Sequence, residues 1–181
     1  VIGTTVSTLL DACLSVVVVT GRDAALVERE IVSAFHHHFS TLLGDDDEKP
    51  AETISIAFNP EWETAGLGRS IAVGVSAAPE ADGYLIALGD MPGIRQDVIG
   101  ALLEALESEG DETIVLPVYE DEPDRPGHPV FFGRAYRAAL ESLTGDEGAR
   151  SILRANRESV RRVAVTGGLE DIDLPEDVRE V

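Results

Sequence analysis

Strand-length apolar runs alternate along this chain with segments whose apolar residues recur at helical spacing, and that alternation restricts the possible folds more than any other feature. The clearest run is Tyr84-Leu85-Ile86-Ala87-Leu88, which stops at Gly89-Asp90 as a central parallel strand buried on both faces would. Before it, Val6, Leu9, Leu10 and Cys13 mark a helix, and residues 15–20 form a strand. A second helix starts at Asp23 as its cap and runs to about Phe35, with Ala24, Val27, Ile31, Ala34 and Phe35 on one face. An alternating strand follows at 53–58, then a Gly-rich turn that opens a helix at 70–78. Beyond Asp90 the pattern gives a helix at 96–107, strands at 113–119 and 129–132, helices near 134–142 and 146–156, and a last strand at 160–165. Strands separated by helices imply crossover connections, hence an α/β architecture of three layers with a mostly parallel sheet and helices on both faces. With no internal repeat and no second core, residues 1–181 read as one domain.

Charge narrows the function classes. The chain holds 34 Asp plus Glu against 14 Lys plus Arg, a net −20, and Lys49 is its one lysine. Such a surface repels nucleic acid, whose binders need a basic stripe to displace counterions. The nearest basic grouping, Arg150, Arg154, Arg157, Arg161 and Arg162, has a spacing that suits one helix face, solvated or paired within the molecule. An acid-rich, lysine-poor composition fits a salt-loving, halophilic cytoplasm in which concentrated salt screens self-repulsion. No run reaches the ~20 apolar residues of a membrane span, so no membrane partner is expected. The lone Cys13 reads as a small core residue. The chain opens on Val1 rather than methionine, with no signal-peptide pattern after it, so a segment upstream is expected.

Several short motifs carry candidate chemistry. Gly89-Asp90-Met91-Pro92 places a carboxylate where a buried strand meets its loop, the crevice in which open α/β sheets bind ligands, and taken alone such an Asp reads either as a helix or turn cap or as a ligand. Between Asn59 and Ser70, a strand-to-helix connection ends in Gly66-Leu67-Gly68-Arg69-Ser70, whose backbone N–H groups suit an anion. It lacks the Gly-Lys-Ser/Thr ending of a Walker loop and the spacing of a dinucleotide fingerprint. Trp62, the only tryptophan, reads as a loop anchor or as a stacking surface at a site mouth. Gly127-His128-Pro129 sets a lone histidine between an acidic loop and a strand, and the alternate carboxylates of residues 171–177 suit a hard cation or a helix start. His36-His37-His38 cannot converge on one ion from a helix, because successive side chains diverge by ~100°. The acidic run at 45–48 lacks the interleaved ligands and glycine of a calcium loop, and no nucleophile-histidine arrangement stands out.

In combination these motifs are far more specific. Asn-Pro-x-Trp with Gly-x-Gly-x-Ser, then Gly-Asp-Met-Pro, Gly-His-Pro-Val-Phe-Phe, Gly-Asp-Glu-Gly-Ala-Arg and Asp-Ile-Asp-x-Pro-Glu-Asp occur in that order. The chain resembles the MobA-like nucleotidyltransferases, especially the molybdenum cofactor cytidylyltransferase branch, from about Thr5 onward. The resemblance implies a Rossmann-like sheet of the nucleotide-diphospho-sugar transferase type. It also implies transfer of CMP, less readily GMP, from CTP or GTP to the terminal phosphate of a molybdopterin-type cofactor, with Mg²⁺ and release of pyrophosphate.

Under the resemblance, Asp90 and Asp173 are the catalytic, metal-binding carboxylates. Gly66, Gly68, Ser70 and Asp90 border the nucleotide, while His128, Pro129 and Trp62 border the acceptor. A molybdoenzyme acceptor is the implied protein partner, and the cytoplasm the implied location. The family's opening loop, Leu-Ala-Ala-Gly-x-Ser-x-Arg-Met-Gly, has no match here, and Leu174 stands where the family has threonine beside Asp173. The alternatives are a non-catalytic cofactor-binding or accessory protein on the same fold, and a nucleotidyltransferase for another phosphorylated acceptor.

Overall fold

A computed structural model of the chain describes residues 1–12, 15–36, 53–107, 110–120 and 127–166. Cys13, His37, His38, the acidic run with Lys49, most of the 120–127 loop, and residues 171–177 with Asp173 and Leu174 lie outside the described residues.

The described elements are α1 (Ile2–Leu10), β1 (Ser15–Thr20), α2 (Ala24–Ala34), β2 (Thr53–Phe58), α3 (Gly66–Ala77), β3 (Gly83–Ile86) and α4 (Gln96–Glu107). They continue with β4 (Ile114–Tyr119), β5 (Val130–Gly133), α5 (Arg137–Glu141), α6 (Arg150–Ala155) and β6 (Val160–Val165). β1 and β2 pair in parallel from Ser15 opposite Thr53 to Thr20 opposite Phe58. The other four strands form a sheet in the order β3-β5-β4-β6. β5 is antiparallel to both β3 and β4, while β4 and β6 are parallel. Among the described strands only β5 runs against its sheet, so the mostly parallel expectation holds in strand direction. β3, expected as a central parallel strand, instead meets an antiparallel neighbour and covers four residues rather than five.

Burial explains the layers. α1 and α2 cover one face of the first sheet through Val6, Leu10 and Ile31 against Val16, Val18 and Ile54. α3, α5 and α6 close the opposite face of the larger sheet, where Ile71, Val75, Leu140 and Ile152 meet Ile114, Leu116, Val130 and Phe132. α4 covers its other face with Val98 and Leu102 on Val115, Tyr119 and Phe131. β4 is therefore buried on both sides, as its unbroken apolar run requires. Pro117, which lacks an N–H, is tolerated inside it because the β4–β5 ladder ends at Val115 and the Pro117 carbonyl accepts from the Gly127 N–H at 3.1 Å.

Among the described residues the two sheets do not pair with each other. Between the edge of β1 and the edge of β3 runs a cavity of about 1510 Å³, walled by both strands, by Thr5 and Leu9 of α1, and by Gly74 of α3.

On the surface, Arg69 pairs with Glu61, Arg95 with Asp97, Arg134 with Asp111 and Arg154 with Glu147. The arginine cluster is not one helix face: α6 ends at Ala155, and Arg161 and Arg162 lie on β6. With 34 acids facing 14 basic residues, most carboxylates have no cation to pair with. Raising KCl from about 0.1 to about 2 M shortens the screening length several-fold and is expected to raise Tm by at least ~5 °C, roughly 2 kcal/mol for a domain this size. Thermal melts followed by circular dichroism check this, and equal midpoints at both salt concentrations would contradict it.

Candidate active site

The carboxyl ends of β1, β2 and β3 gather the candidate residues. Thr20 closes β1 nearly fully buried at 3% exposure, and its Oγ1 has no hydrogen-bond partner among the described residues. Its carbonyl accepts from the Asn59 N–H at 2.8 Å, so the ends of the two strands are tied together. Asn59 is completely buried. Its Nδ2 donates to Ser70 Oγ at 3.0 Å, and its Oδ1 accepts from the Glu61 N–H at 3.0 Å. The Asn-Pro step thus turns β2 toward α3 and fixes the Ser70 hydroxyl on the cavity wall. Sequence reasoning places Asn59 within a motif without giving it a role, and the signal is an amide directly after an apolar strand.

The glycine-rich turn behaves differently from a free anion loop. α3 begins at Gly66, four residues earlier than the apolar pattern indicates. Gly66 holds φ +69°, and a side chain there would come within 2.3 Å of Asp146 Oδ1. At Gly68 a Cβ would lie 2.7 Å from the Thr144 carbonyl oxygen. The Gly68 N–H donates to the Gly145 carbonyl at 2.8 Å, and the Gly145 N–H donates to the Ala65 carbonyl at 2.9 Å. Both glycines therefore let residues 144–146 approach the start of α3, and the Gly68 N–H is used within the protein. Asp146 and Arg150 reach the same cavity as Ser70. The structure packs Gly145 and Asp146 against the start of α3.

Trp62 packs on Gly21, where an added Cβ would sit 2.6 Å from the Trp62 Cβ, and the Arg22 guanidinium lies 5.3 Å from the indole centroid. These contacts anchor the loop to the end of β1 and leave the ring half-buried.

Asp90 lies exposed in the turn beyond β3. The turn is pinned from behind, since Thr5 Oγ1 donates to the Gly89 carbonyl at 3.4 Å and the buried Met91 and Ile94 anchor the link to α4. At the start of α4 the Arg95 guanidinium holds the Asp97 carboxyl below the usual carboxylate range, first through their hydrogen bond. β3 and β5 pair with Ile86 opposite Val130, so the register brings His128 and Pro129 alongside residues 87 and 88, next to Gly89-Asp90. The His128 carbonyl accepts from Tyr119 Oη at 2.9 Å, and Gly127 permits this because Tyr119 Cε2 lies 2.5 Å from where its Cβ would be. The His128–Pro129 bond is cis. Asp90, His128, Pro129, Ser70, Gly66, Gly68 and Trp62 thus all belong to the carboxyl-end rim, where open α/β sheets bind ligands. Asp173, the second expected carboxylate, lies outside the described residues.

For a divalent cation, Asp90 is a hard oxygen donor open to solvent. No group of three ligating side chains converges among the described residues. An ion such as Mg²⁺ takes one or two carboxylates and completes its shell with water and substrate phosphates, so Asp90 is a residue that could hold one.

No helix among the described residues is long and apolar enough to cross a membrane. Comparison with known proteins agrees with the geometry. Purine catabolism protein PucB of Bacillus subtilis (strain 168) is 30% identical over 117 residues, covering 62% of this chain and 54% of that protein. Nicotine blue oxidoreductase of Paenarthrobacter nicotinovorans is 35% identical over 113 residues, covering 57% and 51%. The chain thus matches about half the length of these curated relatives.

Among solved structures, Rv0371c of Mycobacterium tuberculosis H37Rv in complex with manganese superposes with a TM-score of 0.69 at 21% identity, covering 99% of this chain and 84% of that one. A nucleotidyl transferase from Methanothermobacter gives 0.67 at 21%, covering 99% and 77%. At these identities the likeness establishes the fold, that of the nucleotide-diphospho-sugar transferases. The model of the MobA-like NTP transferase domain matches residues 1–161, and the chain belongs to that family.

Proposed function

We propose that the protein transfers CMP from CTP to the terminal phosphate of a molybdopterin-type cofactor and releases pyrophosphate. The observation that supports this reading is the β3–β5 register, which runs from Ile86 opposite Val130 toward the Gly89-Asp90 turn and the His128–Pro129 corner, together with Ser70, Gly89 and His128 lining one cavity. Family membership supports nucleotidyl transfer in general. The choice of CTP and of the pterin acceptor rests on the ordered motif set.

In the reaction, a terminal phosphate oxygen of the acceptor forms a bond to the α-phosphorus of CTP. The bond from that phosphorus to the bridging oxygen of the β-phosphate breaks, and its electron pair leaves with pyrophosphate. Several negative charges must come together in line, so positioning and charge neutralisation dominate the barrier. Mg²⁺, when bound, supplies that neutralisation and holds the phosphates in line. Asp90 would hold the ion, with Asp173 as the second carboxylate. Ser70, fixed by Asn59, borders the nucleoside together with Gly66 and Gly68. His128, Pro129 and Trp62 border the acceptor, and a molybdoenzyme then receives the product. We place this work in a salt-rich cytoplasm.

The test incubates the full-length gene product in molar KCl with Mg²⁺, the pterin acceptor, and CTP, GTP or ATP labelled at the α-phosphate. Label is expected in the acceptor from CTP. Label from GTP alone would reassign the base, and binding of the pterin with no label from any nucleotide would favour the accessory-protein reading.

A further inference from the structure

The turn after β2 is clamped to α3 at two points. Asn59 Nδ2 donates to Ser70 Oγ at 3.0 Å, and nearer the solvent Arg69 Nε donates to Glu61 Oε2 at 2.7 Å. The Asn59 amide is completely buried, and its neighbours fix which way round it lies. The backbone N–H of Glu61 can only donate, so the atom facing it at 3.0 Å is the amide oxygen, and the amide nitrogen is left toward Ser70. The Asn59 N–H, bonded to the Thr20 carbonyl at 2.8 Å, holds the residue in place from the β1 side.

Ser70 Oγ is therefore an acceptor toward Asn59, and its single proton points elsewhere. A serine in a helix can return that proton to the carbonyl four residues earlier, here that of Gly66. Ser70 makes no such bond, and its Oγ donates to no acceptor among the described residues. Of the α3 residues that wall the cavity, Leu67, Ser70, Ile71, Gly74 and Val75, half-buried Ser70 alone carries a polar side chain. A single oriented donor in an apolar wall is how a binding site fixes the orientation of a ligand, and an apolar wall suits a planar base better than a charged phosphate.

We propose that Asn59 is a positioning residue for base recognition: by donating to Ser70 Oγ it commits that hydroxyl as a donor, which reads a carbonyl oxygen or ring nitrogen of the bound base. The proposal rests on the nucleotidyl transfer reading for the kind of ligand, a nucleoside triphosphate. Asn59 itself touches no ligand and acts through the direction of one proton.

The substitution that reverses that direction is Asn59→Asp. One oxygen of the introduced carboxylate still accepts from the Glu61 N–H, while the other has no proton to give and takes the one on Ser70, which then turns only lone pairs to the base. The test titrates the full-length gene product with CTP, GTP and ATP in the presence of Mg²⁺ by calorimetry, and compares Asn59→Asp, Ser70→Ala and the double variant on the triphosphate that binds most tightly. Each single variant is expected to raise Kd about tenfold, the worth of one hydrogen bond, and the double variant to match Ser70→Ala, because without the hydroxyl there is nothing to direct. Inorganic triphosphate is expected to bind all four proteins equally. A measurement on the wild type alone covers the case in which the buried carboxylate prevents folding: the Asn59 side-chain amide proton bonded to Ser70 is expected to move downfield in NMR spectra when the triphosphate binds, since a hydroxyl that donates to a ligand becomes a stronger acceptor.

Additive losses in the double variant would make Asn59 an ordinary turn residue, and equal weakening of inorganic triphosphate would put the Ser70 contact on the phosphates. An amide signal that stays still on saturation, or a folded wild type that binds no triphosphate, would remove the contact altogether. Each of these four outcomes overturns the proposal. Label transfer to the acceptor with unchanged Kd in both single variants would overturn it and leave the transfer reading standing, whereas weakened binding in both variants of a protein that labels no acceptor would support it and remove that reading.

Discussion

Asp90→Asn, made in the full-length gene product, is expected to lower nucleotidyl transfer at least ~100-fold, about 2.7 kcal/mol of transition-state stabilisation, with the fold intact. The substitution keeps size and shape but removes the formal charge that would hold a divalent ion against the phosphates. Asp90 is exposed and sits after β3, with the turn anchored by Met91 and Ile94 rather than by its own side chain, so unfolding is not the expected cause of the loss. The measurement is a turnover assay beside a thermal melt. Full turnover in a folded Asp90→Asn protein would remove Asp90 from the chemistry.

Gly66→Val is expected to destabilise the protein by about 2–5 kcal/mol. A β-branched residue costs about 1–2 kcal/mol to hold in a left-handed backbone, and overpacking adds about 1–3 kcal/mol. Gly66 sits at φ +69°, and its added Cβ would lie 2.3 Å from Asp146 Oδ1 and 2.5 Å from the Gly145 carbonyl carbon. Because Gly145 lies against α3 through two backbone hydrogen bonds, the 144–146 loop would be displaced along with the helix start. Urea denaturation of the wild type and variant checks the magnitude. A change below about 0.5 kcal/mol, the range of ordinary surface substitutions, would show that the close approach of residues 144–146 is dispensable.

Much of this arrangement is legible in the sequence, and the exceptions have physical reasons. β1, β2, α4 and β6 fall where hydrophobic periodicity places them, because each buries a face that its own residues define. The start of α3 is misplaced by the apolar pattern because two glycines are poor helix formers by propensity. The element nonetheless opens at Gly66, in a left-handed conformation, and takes in Gly68, since only their missing side chains let residues 144–146 pack against the turn. The reversal of β5 is hidden for a different reason: Val130 to Gly133 is four buried residues, and an unbroken apolar run carries no record of strand direction.

At the site, Gly89-Asp90-Met91-Pro92 and Gly127-His128-Pro129 are visible as separate motifs, and the β3–β5 register is what brings them together. Asn59 is a tertiary discovery, since a buried amide holding Ser70 in place looks like any turn residue until its partners are known. That β1 and β3 do not pair with each other among the described residues cannot be read from the sequence at all, because pairing partners are a property of topology rather than of local pattern.

The central claim is that the rim carrying Asp90, His128 and Ser70 performs nucleotidyl transfer, and pyrophosphate release tests it most directly. The full-length product in molar KCl with Mg²⁺, CTP and the pterin acceptor is expected to release pyrophosphate in proportion to acceptor consumed, and to stop when the divalent ion is chelated. Folded protein that binds the acceptor and releases no pyrophosphate from any nucleoside triphosphate would contradict the account.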